Sequence, residues 1–368
     1  MYQKALKYIL NKNYSTQNLL NLKRLIATFI NLFKSNNYSI SHFNYILKKM
    51  KYFINIKKHY HDKYLILIIL NIYLLYEDEL QKENALDFND MINKSITVLK
   101  KYGLKKNWKY IIIDEFQDTS LTKLNMIKEL IKITNAKFLA VGDDFQSIYR
   151  FTGCDLNIFL NFPNYFADAK IFQIINTYRN PQELINVAGS FIMKNKYQQQ
   201  KQLKSYKHLS KPIIIYYSKN KVAALKDILL RLSTNGCKEI MVLGRNNKDI
   251  NYFIYQNFSK KEDFYTYQNI QFRYLTIHRS KGLESENVII INLENKLLGM
   301  PTKIKDEAIL KYVNNNKDFY PFEEERRLFY VALTRTKNKV YLIAPYKNES
   351  IFIKELKKYN QYIKIIKK

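Results

Sequence analysis

A chain of 368 residues exceeds the size at which a single core stops growing, so two lobes are expected. Lys and Arg number 61 against 32 Asp and Glu, a formal net charge of +29. That balance points to an anionic polymer as partner, with a discount because the wealth of Ile, Asn, Tyr and Phe matches A/T-rich coding, which raises Lys without function. Cys154 and Cys237 stand far apart in no ligand spacing, which excludes a disulfide framework and a thiolate zinc site and reads as a reduced, cytoplasmic protein.

Residues 1 to 100 contain neither Gly nor Pro. Apolar residues fall three and four apart, as in YILKKMKYFINI, so this region is expected to be helical. His59 and His61 face different sides of a helix and read as a solvated pair. The run YLILIILNIYLLY, residues 64–76, is too short to cross a bilayer of about 30 Å and includes Asn71, so a core helix is expected and no membrane partner. The N-terminus shows no apolar region before a small-residue cleavage site, and no signal peptide is expected. From about residue 109 the runs YIIID, KFLAVGD, KIFQII, PIIIYY, EIMVLG, RYLTIH, NVIIINL and KVYLIA alternate with helical stretches. Strand, polar turn, helix, strand is the pattern of a parallel α/β sheet. The lobe boundary is expected near 165–172, after FPNYF.

Several strands end in polar residues. YIIIDEFQDTS, residues 110–120, delivers Asp114 and Glu115, hard oxygen ligands suited to magnesium, at the edge where open α/β sheets bind ligands. An acidic turn capping the next helix is the alternative. FLAVGDDFQSIYRF repeats the design with Gly142, Asp143, Asp144 and Gln146. A glutamine there hydrogen-bonds a phosphate or an attacking water without adding charge. In INTYRNPQELI, Tyr178 offers an aromatic face and Arg179 a planar fork of donors, for a base and a phosphate or for a surface salt bridge. YLTIHRSKGLESENVIIINL carries Thr276, His278, Ser280, Lys281, Gly282 and Glu284, which suit close approach to phosphates and a ribose or form a plain turn. EEERRLFYVALTRTKNKVYLI reads as a helix with Arg335 at its end, either a solvated face or an arginine reaching a γ-phosphate.

These five stretches, in this order, resemble motifs II to VI of superfamily 1 DNA helicases of the UvrD/Rep type. VGDDFQSIYRF, LGRNN and YPFEEERRLFYVALTR match its helicase IV form, and LDFNDMI, residues 86–92, resembles the segment before motif II. The resemblance covers roughly residues 85 to 346. It implies RecA-like lobes that use ATP and magnesium to move single-stranded DNA 3′ to 5′. Asp114 would hold magnesium and Glu115 would orient and deprotonate the hydrolytic water. Gln146 would sense the γ-phosphate, and Arg179 with Arg335 would clamp it. Tyr178 would stack on adenine, Glu284 would bind ribose, and Gly282 would form the turn beside them. Tyr149, Phe151, Thr276 and His278 would lie on the DNA path.

The pattern breaks at the phosphate loop. None of the eight glycines, at 103, 142, 153, 189, 236, 244, 282 and 299, belongs to a G-x-x-x-x-G-K-[ST] motif. That loop supplies a backbone cradle, a lysine on the β- and γ-phosphates and a hydroxyl on magnesium. A first lobe without it is expected to expose unpaired edges or apolar faces. Cys154, Ser285 and Thr336 are lesser departures, at positions where relatives also carry small residues. The stretch between motifs IV and V leaves no room for the large helical insertion many relatives carry there. The expected organisation is a helical segment over 1–100, a partial first RecA-like lobe over 101–170 and a second over 171–368. The expected function is the C-terminal part of a 3′ to 5′ helicase acting with an N-terminal fragment that carries the phosphate loop. The alternatives are a non-catalytic module that binds single-stranded DNA or a partner, and a decayed fragment. A magnesium nuclease lacks a second set of metal carboxylates.

Overall fold

The computed structural model describes residues 16–50, 56–254, 258–262, 264–314 and 318–368. The side chains of His59 and His61, the N-terminal residues 1–15 and residues 51–55 of the YILKKMKYFINI stretch lie outside the described residues. Helices α1 (Thr16–Ser35), α2 (Ser41–Lys49), α3 (Ile56–Lys82) and α4 (Phe88–Tyr102) account for the Gly- and Pro-free region. Their three-four spacing buries Ile26, Phe29, Phe33, Phe43, Ile46, Ile66, Ile69 and Ile72 in one core. The expected core helix is therefore α3, with Tyr64, Leu74 and Leu75 on its exposed side. No helix among the described residues is long and apolar enough to cross a membrane.

Asp87 starts α4 with a reciprocal capping box to Asp90. Both carboxylates, together with Glu77 on α3, surround the buried Lys34 ammonium at 2.6 to 2.7 Å. Burial alone would lower the Lys34 pKa, but the three carboxylates outweigh it and hold it above its usual value. These oxygens lie close enough together to suggest a metal site, and an ammonium ion stands among them instead.

The chain divides into two compact units. Unit 1 holds Met1–Asp143, Tyr149–Ala167 and Asp306–Lys317. Unit 2 holds Asp144–Ile148, Asp168–Lys305 and Asp318–Lys368. In unit 1 the helical core is completed by Ile309, Leu310 and Val313 from the late segment. Asn36 donates to the Val313 carbonyl at 3.0 Å, and His42 meets the Tyr312 carbonyl at 3.1 Å.

After α4 come β1 (Tyr110–Ile113), α5 (Leu121–Thr134) and β2 (Lys137–Ala140). Ser120 caps α5, and Asn135 in the left-handed region turns the chain back so that β2 lies parallel to β1. The short α6 (Leu156–Leu160) and α7 (Phe162–Tyr165) follow, and on one face of this two-stranded sheet Phe116 and Phe138 pack with Phe162, which opens α7, and Phe166, which caps its end. On the other face Ile112 is 65% exposed and Leu139 54% exposed. Parallel strands are normally covered on both faces, so among the described residues this sheet carries an exposed apolar surface.

Unit 2 has a different texture. Its eight strands are β3 (Ile213–Tyr217), β4 (Ile240–Gly244), β5 (Ser259–Lys261), β6 (Phe264–Tyr267), β7 (Ile270–Thr276), β8 (Ser285–Ile290), β9 (Thr336–Ala344) and β10 (Ile363–Lys367). They pair in the order β10-β3-β9-β8-β4-β7-β6-β5. The first six are parallel and the last two add as antiparallel ribbons. Every residue of β3 and β4 is buried, which is why those strands read as unbroken apolar runs. Helices α8 (Gln182–Ile192), α9 (Lys221–Thr234), the short α10 (Asn251–Ile254), α11 (Glu323–Leu333) and α12 (Ile351–Leu356) accompany the sheet. Asn220 caps α9, whose Leu225, Ile228, Leu229 and Leu232 pack on the strands.

One expected strand is absent. KIFQII, residues 170–175, forms no ladder, and only an isolated bridge between Asn176 and Lys204 follows it. Among the described residues no strand lies alongside to accept its hydrogen bonds, so Phe172 is left 84% exposed.

Candidate functional site

In unit 1, β1 delivers Asp114 and Glu115 to the surface, both exposed. Glu115 adopts φ 52°, ψ 40°, which reverses the chain at once. Its own N–H donates to Asp114 Oδ1 at 2.8 Å. The reversal brings Gln117, wholly buried, back beneath Glu115. Gln117 Nε2 donates to Glu115 Oε2, and its Oε1 accepts from the Asp143 N–H at 2.9 Å. The side chain thus locks the loop after β1 to the loop after β2. A Cβ on Gly142 would stand 2.5 Å from Gln117 Oε1 and 2.8 Å from the Phe159 ring. Glycine is required there for close approach rather than for a left-handed turn, since Gly142 does not have positive φ.

Tyr149 and Phe151 follow in unit 1, edge to face at 6.1 Å, with Phe151 exposed and Tyr149 partly buried. Burial, then the charges of Asp118 and Glu115, raise the Tyr149 pKa, so its hydroxyl stays protonated. Gly153, at φ +91°, lies where any Cβ would strike Ser35. Cys154 is buried and donates to the Asp118 carbonyl at 3.0 Å.

In unit 2 the segment after Gly142 is held by side chains from later in the chain. Gln146 Oε1 accepts from Arg335 Nη2 at 3.1 Å, and its carbonyl accepts from Lys281 Nζ at 2.8 Å. Arg335, 1% exposed at the end of α11, also donates to the carbonyls of Val331 at 3.0 Å and Leu283 at 3.4 Å. Arg327 donates to the Ser147 carbonyl at 2.7 Å and is paired with Glu323 at 2.8 Å. Asp144 is buried against Lys201 and accepts from the Gln199 N–H at 3.0 Å.

A second group in unit 2 surrounds an open cavity of about 530 Å³ lined in part by Tyr178, Arg179, Lys207, Glu284 and Lys337. Arg179 Nε donates to Glu284 Oε2 at 2.7 Å, and Lys337 Nζ lies 3.0 Å from Glu284 Oε1. These two cations lower the Glu284 pKa, Arg179 foremost. Gly282, at φ +80°, forms the turn before Glu284. Thr276 ends β7 and is buried, and His278, partly buried, opens the tight turn that follows. Burial, helped by the nearby Arg245 charge, pushes the His278 pKa down to about 4.

The residues singled out in the sequence therefore fall into separate constellations. Asp114, Glu115, Tyr149 and Phe151 belong to unit 1. Gln146 with Arg335, Arg179 with Glu284 and Tyr178, and Thr276 with His278 belong to unit 2. Lys281, singled out in the sequence, joins the Gln146 set, whereas Gln117, Lys207 and Lys337 were not singled out. Gln117 alone had a textual cue, as a second amide two residues after Glu115.

The chemistry of the donors agrees with a nucleotide and its metal. Asp114 and Glu115 offer only hard oxygens, which suit magnesium. Arg179, Lys207 and Lys337 give their cavity more positive than negative charge, which suits a polyphosphate.

Comparison with known proteins identifies the family. Residues 2–167 match the UvrD/REP helicase N-terminal domain, and residues 257–347 match the UvrD-like helicase C-terminal domain. The chain is 32% identical over 287 residues to DNA helicase IV of Escherichia coli K12, covering 77% of this chain and 40% of that protein. It is 28% identical over 257 residues to a probable DNA helicase II homolog of Mycoplasma capricolum, covering 66% and 35%. It is 28% identical over 289 residues to the ATP-dependent DNA helicase Rep of Buchnera aphidicola from Acyrthosiphon pisum, covering 70% and 44%. The chain thus spans less than half the length of these relatives. With both domain matches in their expected order on an α/β framework of RecA-like type, the chain belongs to the UvrD/Rep family of DNA helicases.

Proposed function

We propose that this chain is part of an ATP-dependent motor that moves 3′ to 5′ on single-stranded DNA and unwinds duplexes, completed by a phosphate loop supplied from outside these 368 residues. The observation that carries the reading is the Gln146–Arg335 hydrogen bond at 3.1 Å. It ties a water- or phosphate-positioning amide to a buried guanidinium, so that both respond together to charge at a terminal phosphate. On this reading residues 101–170 supply the first motor lobe after the helical segment 1–100, and 171–368 supply the second. Residues 144–148 belong to unit 2 and residues 306–317 to unit 1.

On this reading the roles are as follows. Magnesium, when bound, neutralises charge on the phosphates, and Asp114 would hold it. Glu115, aimed by Gln117, accepts a proton from the attacking water. Arg335 and Arg179 bind the γ-phosphate, with Arg179 exchanging its Glu284 partner for phosphate. Glu284 is then released towards the ribose hydroxyls, and Gly282 lets the chain turn beside them. Phe151 stacks on a DNA base with Tyr149 behind it, and Thr276 and His278 face the DNA backbone. In this reading the protein works in the cytoplasm with Cys154 and Cys237 as thiols; neither is bridged.

The test is ATP hydrolysis by the purified chain, alone and with the missing N-terminal piece, with and without single-stranded DNA. DNA-stimulated turnover that appears only with that piece, and that Glu115→Gln abolishes, supports the proposal. Displacement of streptavidin from the 5′ end of an oligonucleotide, and not from the 3′ end, checks the polarity. Turnover by the chain alone would mean that another segment cradles the phosphates. The absence of G-x-x-x-x-G-K-[ST] from the sequence favours one second reading, a module that binds single strands without hydrolysis. That reading requires salt-sensitive binding unchanged by ATP or by the N-terminal piece.

A further inference from the structure

Tyr178 and Tyr206 stand on two backbone segments joined by the parallel bridge between Asn176 and Lys204. Two residues beyond each partner both segments bend, and there the two tyrosine rings face one another. The register is fixed. Thr177 N–H donates to the Lys204 carbonyl, and Lys204 N–H to the Ile175 carbonyl, each at 2.8 Å. Beyond the rings, Ser205 Oγ donates to the Asn180 carbonyl at 2.8 Å. Lys207 Nζ donates to Lys337 O and Asn338 Oδ1 at 2.7 Å.

The two rings lie 27° from parallel with centroids 6.4 Å apart, although neighbouring strands run only about 4.8 Å apart. Tyr178 is 80% exposed and Tyr206 79% exposed. A planar heterocycle between two rings needs two contact distances of about 3.5 Å, or about 7 Å in all. The observed gap is short of that by only about half an ångström, which a small side-chain rotation supplies. Tyr178, the first of the two rings, also lines the cavity that holds Arg179, Glu284 and Lys337, so a base stacked on it stands beside cations for its phosphates.

We propose that Tyr206 is the second wall of a base clamp, with Tyr178 as the first, and that the clamp holds the nucleobase of a nucleoside triphosphate whose phosphates meet Arg179 and Lys337. The proposal rests on the reading of this cavity as the nucleotide site. Since every base presents a π-face, a clamp of this kind accepts purines with little discrimination.

The experiment is equilibrium binding of a fluorescent ATP analogue to the full chain, competed with ATP, GTP, inorganic tripolyphosphate and oligo(dT). Tyr206→Ala is expected to weaken competition by ATP and GTP by about tenfold or more and to leave tripolyphosphate unchanged. Tyr206→Phe is expected to retain wild-type affinity. Thermal melts report whether the exposed substitutions leave the fold intact. If Tyr178→Ala loses binding and Tyr206→Ala does not, the clamp is wrong and the nucleotide site stands. If the wild-type chain binds no nucleotide even with the N-terminal piece present, the site reading fails and takes the clamp with it. Equal weakening of tripolyphosphate would make Tyr206 a structural residue, and a loss confined to oligo(dT) would assign the rings to DNA; either result overturns the clamp.

Discussion

Glu115 owes its direction to Gln117, a buried amide whose other end grips the backbone of Asp143. Gly142 permits that contact, and Gly142→Ala would drive a methyl group into both Gln117 and Phe159. Overpacking of this kind costs about 1–3 kcal/mol, so the variant should show a lower urea midpoint. Any Glu115-dependent turnover should fall further than the stability loss explains. The sequence displays Asp114 and Glu115 openly, because carboxylates after an apolar strand are conspicuous. It hides Gln117, because its return beneath Glu115 depends on one left-handed residue, Glu115 itself at φ 52°.

His278 carries a pH dependence. Its pKa is about 4 in the folded chain and about 6.5 unfolded, so the unfolded state binds the proton more readily. The neutral side chain's contribution is complete above about pH 6.5 and is lost as pH falls towards 4, by roughly 3 kcal/mol in total. Denaturation curves between pH 7 and pH 4 should show this slope, and His278→Gln should flatten it.

Among the elements, α1, α3 and α4 meet at Lys34, whose single ammonium answers three carboxylates. Lys34→Met should destabilise unit 1 by about 3 kcal/mol, since removal of one side of a buried ion cluster strands the other. Acidification towards pH 4 should narrow the deficit relative to wild type, because protonation relieves the stranded carboxylates. Chemical denaturation at the two pH values checks both parts.

The elements also show what periodicity conveys. PIIIYY, EIMVLG, NVIIINL and KVYLIA became central parallel strands because a buried strand needs apolar residues on both faces. KIFQII has the same composition and forms no strand, since pairing depends on a neighbouring edge that composition does not report. β10, with Ile alternating with Lys, and the ribbon β5–β6 with SKK and FYTY escaped notice for the opposite reason. Edge strands are half exposed and carry charge, which weakens the apolar signal.

At the scale of the whole molecule, a net charge of +29 favours any polyanion. If the chain tracks single-stranded DNA along its phosphates, roughly six contacts give a slope of about −4 in a plot of log affinity against log salt. Fluorescence anisotropy with oligo(dT) between about 50 and 200 mM salt should show it. A slope near zero would attribute the lysines to coding bias. The two-lobe organisation expected from length appears as two units with separate cores, but the exchange of residues 144–148 and 306–317 between them has no signature in composition.

That exchange has a consequence during synthesis. The helices of unit 1 emerge first from the ribosome, yet the groove they form is filled by Ile309, Leu310 and Val313, which follow much later. At about 5–20 residues per second, the stretch between residue 167 and residue 306 takes on the order of ten seconds to appear. Throughout that interval the nascent helical unit displays an apolar cleft to every chaperone and nascent neighbour. A polypeptide released before residue 306 keeps the cleft open, so unit 1 cannot finish folding until the segment 306–317 has been made.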